Sequence, residues 1–250
     1  TGVALTMLPV YYAHANFGGK PFVSGQRRFI SDVDGFAKMV EACGRMVRDL
    51  PDANVGVAPH SLRAVTPEEL RDLVVIAGDR PIHIHVAEQT REVDDCLAWS
   101  GKRPVEWLMD NAPVDQRWCL IHATHVKPEE TRAMARSGAV VGLCPITEAN
   151  LGDGVFPAVE YLNAGGAFGI GTDSNVLIDA GEELRTMEYA QRLTRRKRAV
   201  LAQVEGSTGG ELFRRAFAGG QRATQSEGGL KLGASADIVS LDGESSLLAH

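Results

Sequence analysis

Apolar and polar positions follow two recurring patterns along this chain. The first is a short, nearly continuous apolar run, as expected of a strand buried on both faces. The second spaces apolar residues three and four positions apart, as expected of a helix with one buried stripe. The first pattern predicts strands over residues 3–12, 55–58, 81–86, 118–122, 140–143 and 168–171. The second predicts helices over 33–50, 93–100, 104–111, 128–137, 158–164, 182–200 and 210–224, and another beginning at Thr66. In the first of these helices Phe36, Met39, Val40, Cys43 and Val47 share a face. Thr66, Pro67 and Glu69 have the form of a capping box with proline at the first helical position, and Gly138 supplies a stop. Strand and helix alternate through six βα units, which calls for a parallel sheet. An open doubly wound sheet and a (β/α)8 barrel both satisfy that order. Residues 234–242 look extended, lie outside the repeat and read as the start of a smaller β unit.

Composition narrows the classes of function. The chain has 250 residues, 44% hydrophobic and 23% charged, which is ordinary for a folded globular protein and ample for one large core. Twenty-six basic against thirty-two acidic residues give a net charge of -6, so no general nucleic-acid-binding role is expected. No apolar run approaches the ~18 residues of a membrane helix. The four cysteines, at 43, 96, 119 and 144, form neither a Cys-x-x-Cys site nor a disulfide framework, and a reducing, cytoplasmic setting is expected. The first charged residue is Lys20, so no secretory leader is read. The chain opens at Thr1 within an apolar run and closes at His250 without completing an element, which reads as a fragment.

Reactive side chains gather where strands end. His14 follows the first predicted strand, His60 the second, His85 and Glu88 the third, and His122 and His125 the fourth. The fifth leads into Glu148 and Asn150 and the sixth into Asp173. Six of the seven histidines lie in or just after strands, the other being His250. In a (β/α)8 barrel those ends share one face, where catalytic groups collect, whereas an open sheet brings only some of them to a switch point. The constellation therefore favours the barrel. His83 and His85 lie on one face of their strand, and neutral imidazole is a zinc ligand, although either histidine alone also fits a hydrogen-bonded core position. Glu88 is placed to reach a water held by such a metal. Asp173 suits a metal ligand that also accepts a proton, or equally the cap of a following helix. Arg63 is a candidate bidentate clamp for a substrate carboxylate, with a surface arginine as the plainer reading. The Arg27–Arg28 pair is a weaker candidate of the same kind. No dinucleotide or Walker-type glycine loop and no nucleophile elbow is present, and Cys119 and Cys144 read as core.

The order His85-x-Ala87-Glu88, then His122, then Gly171-Thr172-Asp173-Ser174 resembles the amidohydrolase superfamily, specifically its deaminase branch. The resemblance implies a (β/α)8 TIM barrel with a bound metal, usually zinc, in which His85 matches the strand-5 histidine, His122 the strand-6 histidine and Asp173 the strand-8 aspartate. Segments 11–21, 25–29, 58–63 and 145–154 are similar to deiminases that act on N-formimino-L-glutamate, and the resemblance covers residues 1–240. Related nucleobase deaminases usually carry Pro-x-Ser-Asn where this chain has Pro145-Ile146-Thr147-Glu148-Ala149-Asn150. One departure is large: no strand-1 His-x-His pair precedes His14. The six strands then correspond to barrel strands 3–8. Residues 1–228 are expected to form a partial barrel, and 229–250 the beginning of the C-terminal part of a small β-sandwich domain.

By that resemblance the chemistry is zinc-dependent hydrolysis of N-formimino-L-glutamate to N-formyl-L-glutamate and ammonia, a step of histidine degradation. One Zn2+ per subunit is expected, with other divalent metals open. His85 and Asp173 are its expected ligands in this chain. Asp173 and Glu88 handle protons, His122 stabilises the tetrahedral species, and His60 and Arg63 bind the dicarboxylate. Two other readings stay open: a deaminase of nucleobases or formimino-aspartate, and a non-catalytic barrel whose metal site is lost. The expected partner is a small molecule, without nucleic acid or membrane, and a homodimer is left open.

Overall fold

A computed structural model describes residues 4–174, 177–202, 206–230, 232–233, 238, 240 and 242–245. Its strands are β1 (Leu5–Met7), β2 (Val10–Tyr11), β3 (Ala53–Val55), β4 (Ala58–Pro59), β5 (Ile82–Val86), β6 (Trp118–His122), β7 (Val140–Leu143) and β8 (Ala167–Ile170). Every pairing among them is parallel: β1 with β3, β2 with β4, and β5 through β8 in sequence order. Bridges from Val57 to Ile82 and from Ser61 to His85 carry the pairing on from the β3–β4 segment to β5. The fold is thus α/β with parallel strands, and all described strands end on the same side.

The expected strand over 3–12 is interrupted between β1 and β2. Pro9 has no N–H to offer a ladder. The pairing recovers through Gly56, whose N–H donates to the Met7 carbonyl (2.8 Å), and Ala58, which donates to the Pro9 carbonyl (2.9 Å). A Cβ at Gly56 would stand 2.5 Å from both the Leu8 side chain and the Pro81 carbonyl, so only glycine lets the three segments close up.

The helices are α1 (Val33–Val47), α2 (Pro67–Ala77), α3 (Thr90–Ser100), α4 (Pro104–Asn111), α5 (Pro128–Ser137), α6 (Pro145–Leu151), α7 (Ala158–Asn163), α8 (Ala180–Arg195) and α9 (Thr208–Thr224). Thr66 and Glu69 form the capping box expected of α2. Asp32, Asp179 and Ser207 cap α1, α8 and α9 through their side chains. The helix expected over 182–200 stops instead at Arg195. Arg196 turns left-handed, and Glu188 accepts the Val200 and Leu201 N–H groups (2.9 and 3.0 Å), folding the chain back. Two short elements were not expected: α6, and a 3-10 turn over Ser24–Phe29.

The core lies between strands and helices, around fully buried Trp118, Leu120, Ile82, Ile84 and Phe168. Helix α9 packs on β7 and β8, and its C-terminal end reaches the amino ends of several strands. The Thr224 carbonyl accepts from Thr6 Oγ1 (2.9 Å), and the Ala223 carbonyl accepts from His83 Nε2 (2.7 Å). Among the described residues no helix is long and apolar enough to cross a membrane. The extended tail expected over 234–242 and the second unit expected over 229–250 fall largely outside the described residues.

Candidate active site

The pleat of β5 sorts its two histidines. Ile82, Ile84 and Val86 are buried on one face, and His83 and His85 lie on the other. His83, nearer the strand's start, is spent on the α9 carbonyl and is a core histidine. His85, at the carboxyl end, donates from Nδ1 to the His60 carbonyl (2.7 Å), which leaves Nε2 without a proton and facing away as a lone-pair donor. The rings of His60 and His85 lie 5.0 Å apart, and Tyr12 sets its edge against His60 at 4.8 Å. Gln26, from the unexpected 3-10 turn, donates to the Tyr12 hydroxyl (2.7 Å). Burial, followed by the neighbouring His85 and Arg63 charges, lowers the His60 pKa to about 4. Burial also lowers that of His85, against the pull of its hydrogen bond to His60. Both rings are therefore neutral at pH 7.

His122 closes β6 at 1% exposure. Its ring stacks on His85 at 5.6 Å, and its Nδ1 lies 3.1 Å from Glu148 Oε1. Its Nε2 has no hydrogen-bond partner, with Glu88 Oε1 at 3.8 Å and Asp173 Oδ2 at 3.9 Å. Burial pulls the His122 pKa down. The Glu148 hydrogen bond and the charges of Glu88, Glu148 and Asp173 outweigh it, and the net shift is upward. Four residues at these strand ends, Ala87, His122, Ala123 and Asp173, have φ between +48 and +66°, a conformation costing about 1–3 kcal/mol each for non-glycine residues. Surrounding bonds hold it: Ala123 N–H donates to Val86 (3.1 Å) and His125 N–H to Ala87 (2.9 Å). Among the described residues no helix begins at Asp173, and the next one, α8, is capped by Asp179.

Arg63 is half-buried, and its Nε is buried without a hydrogen-bond partner. Its charge acts on His60 and on Glu92. Glu92, 3% exposed, accepts the Ala87 and Glu88 N–H groups (3.0 and 3.1 Å) and so fixes the turn that projects Glu88. Burial raises its pKa, opposed by Arg63 and the two amides. Glu92, Tyr12 and Gln26 carry no expected role in the sequence, and Glu148 is marked there only as following a strand. A glutamate four residues after Glu88 was the available signal for Glu92.

Of the residues expected at the site, His60, Arg63, His85, Glu88, His122 and Asp173 come together, linked by the ring contacts, distances and charge interactions above. His14 does not join them: it pairs with Glu69 (2.9 Å) beside α2. His125 donates from Nε2 to the Asp153 carbonyl (2.7 Å). Arg27 and Arg28 are exposed, and Cys119 and Cys144 are buried as expected. The donors fit a zinc ion in kind, a neutral imidazole Nε2 and a carboxylate, but not in number. Among the described residues no group of three His, Cys, Asp or Glu side chains is arranged to hold a metal, whereas catalytic zinc takes three protein ligands.

Comparison with known proteins shows the family of the chain. The sequence profile described as the Amidohydrolase family matches residues 38–250. The formimidoylglutamate deiminase of Pseudomonas aeruginosa is 51% identical over 252 residues, covering 99% of this chain and 55% of that protein. The crystal structure of an amidohydrolase from Brucella melitensis superposes with a TM-score of 0.96 at 59% identity, over 99% of this chain and 55% of that one. A zinc-bound adenosine deaminase from Xanthomonas campestris shares the fold, with a TM-score of 0.83 at 24% identity over 99% of this chain and 54% of its own. This chain thus spans about half the length of the proteins it matches. By profile, by relative and by architecture, the chain belongs to the amidohydrolase family.

Proposed function

We propose that these residues are the catalytic part of an enzyme that hydrolyses N-formimino-L-glutamate to N-formyl-L-glutamate and ammonia. One observation carries the reading: a buried imidazole nitrogen without a partner, His122 Nε2, stands between two carboxylates, Glu88 and Asp173, beside the neutral ring of His85. This is the arrangement needed to add water to an amidine carbon. Asp173 takes a proton from the attacking water, and Glu88 carries a proton to the departing nitrogen. His122, protonated on both nitrogens as Glu148, Glu88 and Asp173 favour, donates from Nε2 to the oxygen that develops charge on the tetrahedral carbon. Arg63 and His60 face the substrate's carboxylates, and the buried, unsatisfied Arg63 Nε is what such a ligand would pair. His85, through Nε2, and Asp173 would hold zinc. When bound, the ion supplies polarisation of the attacking water. Two donors are too few, so the remaining ligands belong to parts of the intact enzyme beyond these residues, consistent with a (β/α)8 barrel of which this chain holds strands 3–8.

The reading places the enzyme in the catabolism of a small dicarboxylate, in histidine degradation and in the cytoplasm. The test is ammonia release by the intact, zinc-supplied enzyme from N-formimino-L-glutamate, against a panel of purines, pyrimidines and N-formimino-L-aspartate. Release from the glutamate derivative with the highest kcat/KM is expected. Turnover of a nucleobase without turnover of the formimino acid would overturn the proposal.

A further inference from the structure

The mechanism above uses His122 but leaves unexplained why its free nitrogen faces the reacting groups. An imidazole ring can turn over about its Cβ–Cγ bond and can carry its proton on either nitrogen. The His122 backbone is itself left-handed. The contact that decides the matter is Glu148. Its carboxylate is 7% exposed, lies in α6 directly after β7, and places Oε1 3.1 Å from His122 Nδ1. The same oxygen accepts the Cys144 N–H (2.9 Å), so the carboxylate is held at the root of the helix. The helix is tied on either side: Ile146 N–H donates to Glu183 (2.8 Å), and Thr147 Oγ1 donates to the Thr172 carbonyl (3.0 Å), next to Asp173. Glu148 is therefore fixed before any substrate arrives.

We propose that Glu148 is a positioning residue for His122. The Glu148 oxygen already accepts the Cys144 N–H, and a carboxylate accepts from an imidazole N–H, so Nδ1 is the donor whether or not Nε2 also bears a proton, and the ring flip is chosen with it. With Nδ1–H on Glu148, Nε2 points between Glu88 and Asp173. With the ring turned over, a carbon would face Glu148 and Nε2 would leave the site. The hydrogen bonds of the Glu148 side chain run to His122 and to the Cys144 N–H, so it acts through His122 on the reacting end of the substrate. This inference rests on the assignment of His122 to the reaction.

The test separates the two claims. In 15N-histidine-labelled intact enzyme without metal, two-bond 1H–15N correlation spectra report which His122 nitrogen bears a proton, with H122Q supplying the assignment. Nδ1 is expected to be protonated in the wild type and in E148Q, whose amide oxygen still accepts from both Nδ1 and Cys144. In E148L the proton is expected to leave Nδ1. With zinc and N-formimino-L-glutamate, E148L should lose about 10–100-fold in kcat with KM within about 2-fold, and E148Q should recover most of that loss. An unprotonated Nδ1 in the wild type, or an E148L protein with unchanged tautomer and unchanged kcat, overturns the proposal. The wild-type spectrum decides even if E148L does not fold. If the wild type does not act on N-formimino-L-glutamate, the substrate reading fails, and the spectra still decide the role of Glu148.

Discussion

Gly219 is the position at which one added carbon has the largest expected effect. The residue is buried in α9, where the helix lies on bare backbone of β8. A Cβ there would stand 1.8 Å from the Phe168 carbonyl oxygen and 2.4 Å from its carbon. Real Cβ atoms do not come within 3.0 Å of such neighbours, so in G219A the helix must recede by at least about 1.2 Å. That retreat stretches the bonds from His83 to Ala223 (2.7 Å) and from Thr6 to Thr224 (2.9 Å) past useful hydrogen-bonding range. Two such bonds contribute about 1 kcal/mol each. Overpacking and lost contact add about 1–3 kcal/mol, for a total of about 3–5 kcal/mol. For a domain of this size each kcal/mol moves the melting temperature by about 2–4 °C, so G219A should melt roughly 10 °C lower. The neighbouring glycine is an internal control. A Cβ at Gly220 meets nothing within 4 Å, and alanine is favoured over glycine inside a helix by about 1 kcal/mol. G220A should therefore melt at or above the wild-type temperature. Thermal unfolding followed by circular dichroism reads both, and a G219A protein that melts with the wild type would refute the argument from close approach.

Three further outcomes are expected. Replacing Arg63 by methionine should lower kcat/KM for N-formimino-L-glutamate by about 100-fold, the worth of two charge-assisted hydrogen bonds. The loss should shrink for an analogue whose side carboxylate is amidated, and an equal loss for both would remove Arg63 from carboxylate binding. D173N should lower kcat by about 100-fold or more, the typical contribution of a general base, and retained turnover would exclude Asp173 from that role. Burial pushes the Cys96 thiol up to about 11 and Cys119 up to about 12, and raises Cys144 as well. The folded protein keeps these protons at a pH where the unfolded chain has lost them, so unfolding releases protons and stability falls as pH rises above about 9. Three thiols together give a slope of about 4 kcal/mol per pH unit between pH 9 and the lowest folded value. Urea titrations at pH 8, 9 and 10 measure the slope, and a flat profile would show that the thiols are not shielded.

Much of the site was legible because strand chemistry is written in short words. The apolar runs ended in His85, His122 and Asp173, and parallel strands bring all such ends to one side. The alternation within β5 put His83 and His85 together on one face, apart from the buried isoleucines, but could not say which of the two was spent on the core. That depended on α9, whose docking shows in the sequence only as the pair Gly219–Gly220. Helix α6 escaped because the seven residues Pro145–Leu151 are too few to show an apolar stripe. With it went the role of Glu148, which depends on a contact across 26 positions. Glu92 fell just before the helix expected over 93–100, and only its burial and its bonds show that it holds the Ala87–Glu88 backbone. The left-handed conformations of Ala87 and Ala123 have no signature at all, since alanine is common everywhere and glycine would have been the expected residue.

The bonds that join α9 to the first strands also set a schedule for synthesis. The Thr6–Thr224 contact spans 218 positions, and the His83–Ala223 contact spans 140. Translation at about 5–20 residues per second separates the emergence of Thr6 from that of Thr224 by roughly 10–40 s. Throughout that interval β1, and for the last 140 positions of it β5, lacks the partner that covers its amino end, and the apolar stretch around each is open to wrong pairings. A nascent chain of this sequence therefore passes through a long, sticky adolescence, in which slow codons late in the message or a scarcity of chaperones would cost yield without altering the finished protein.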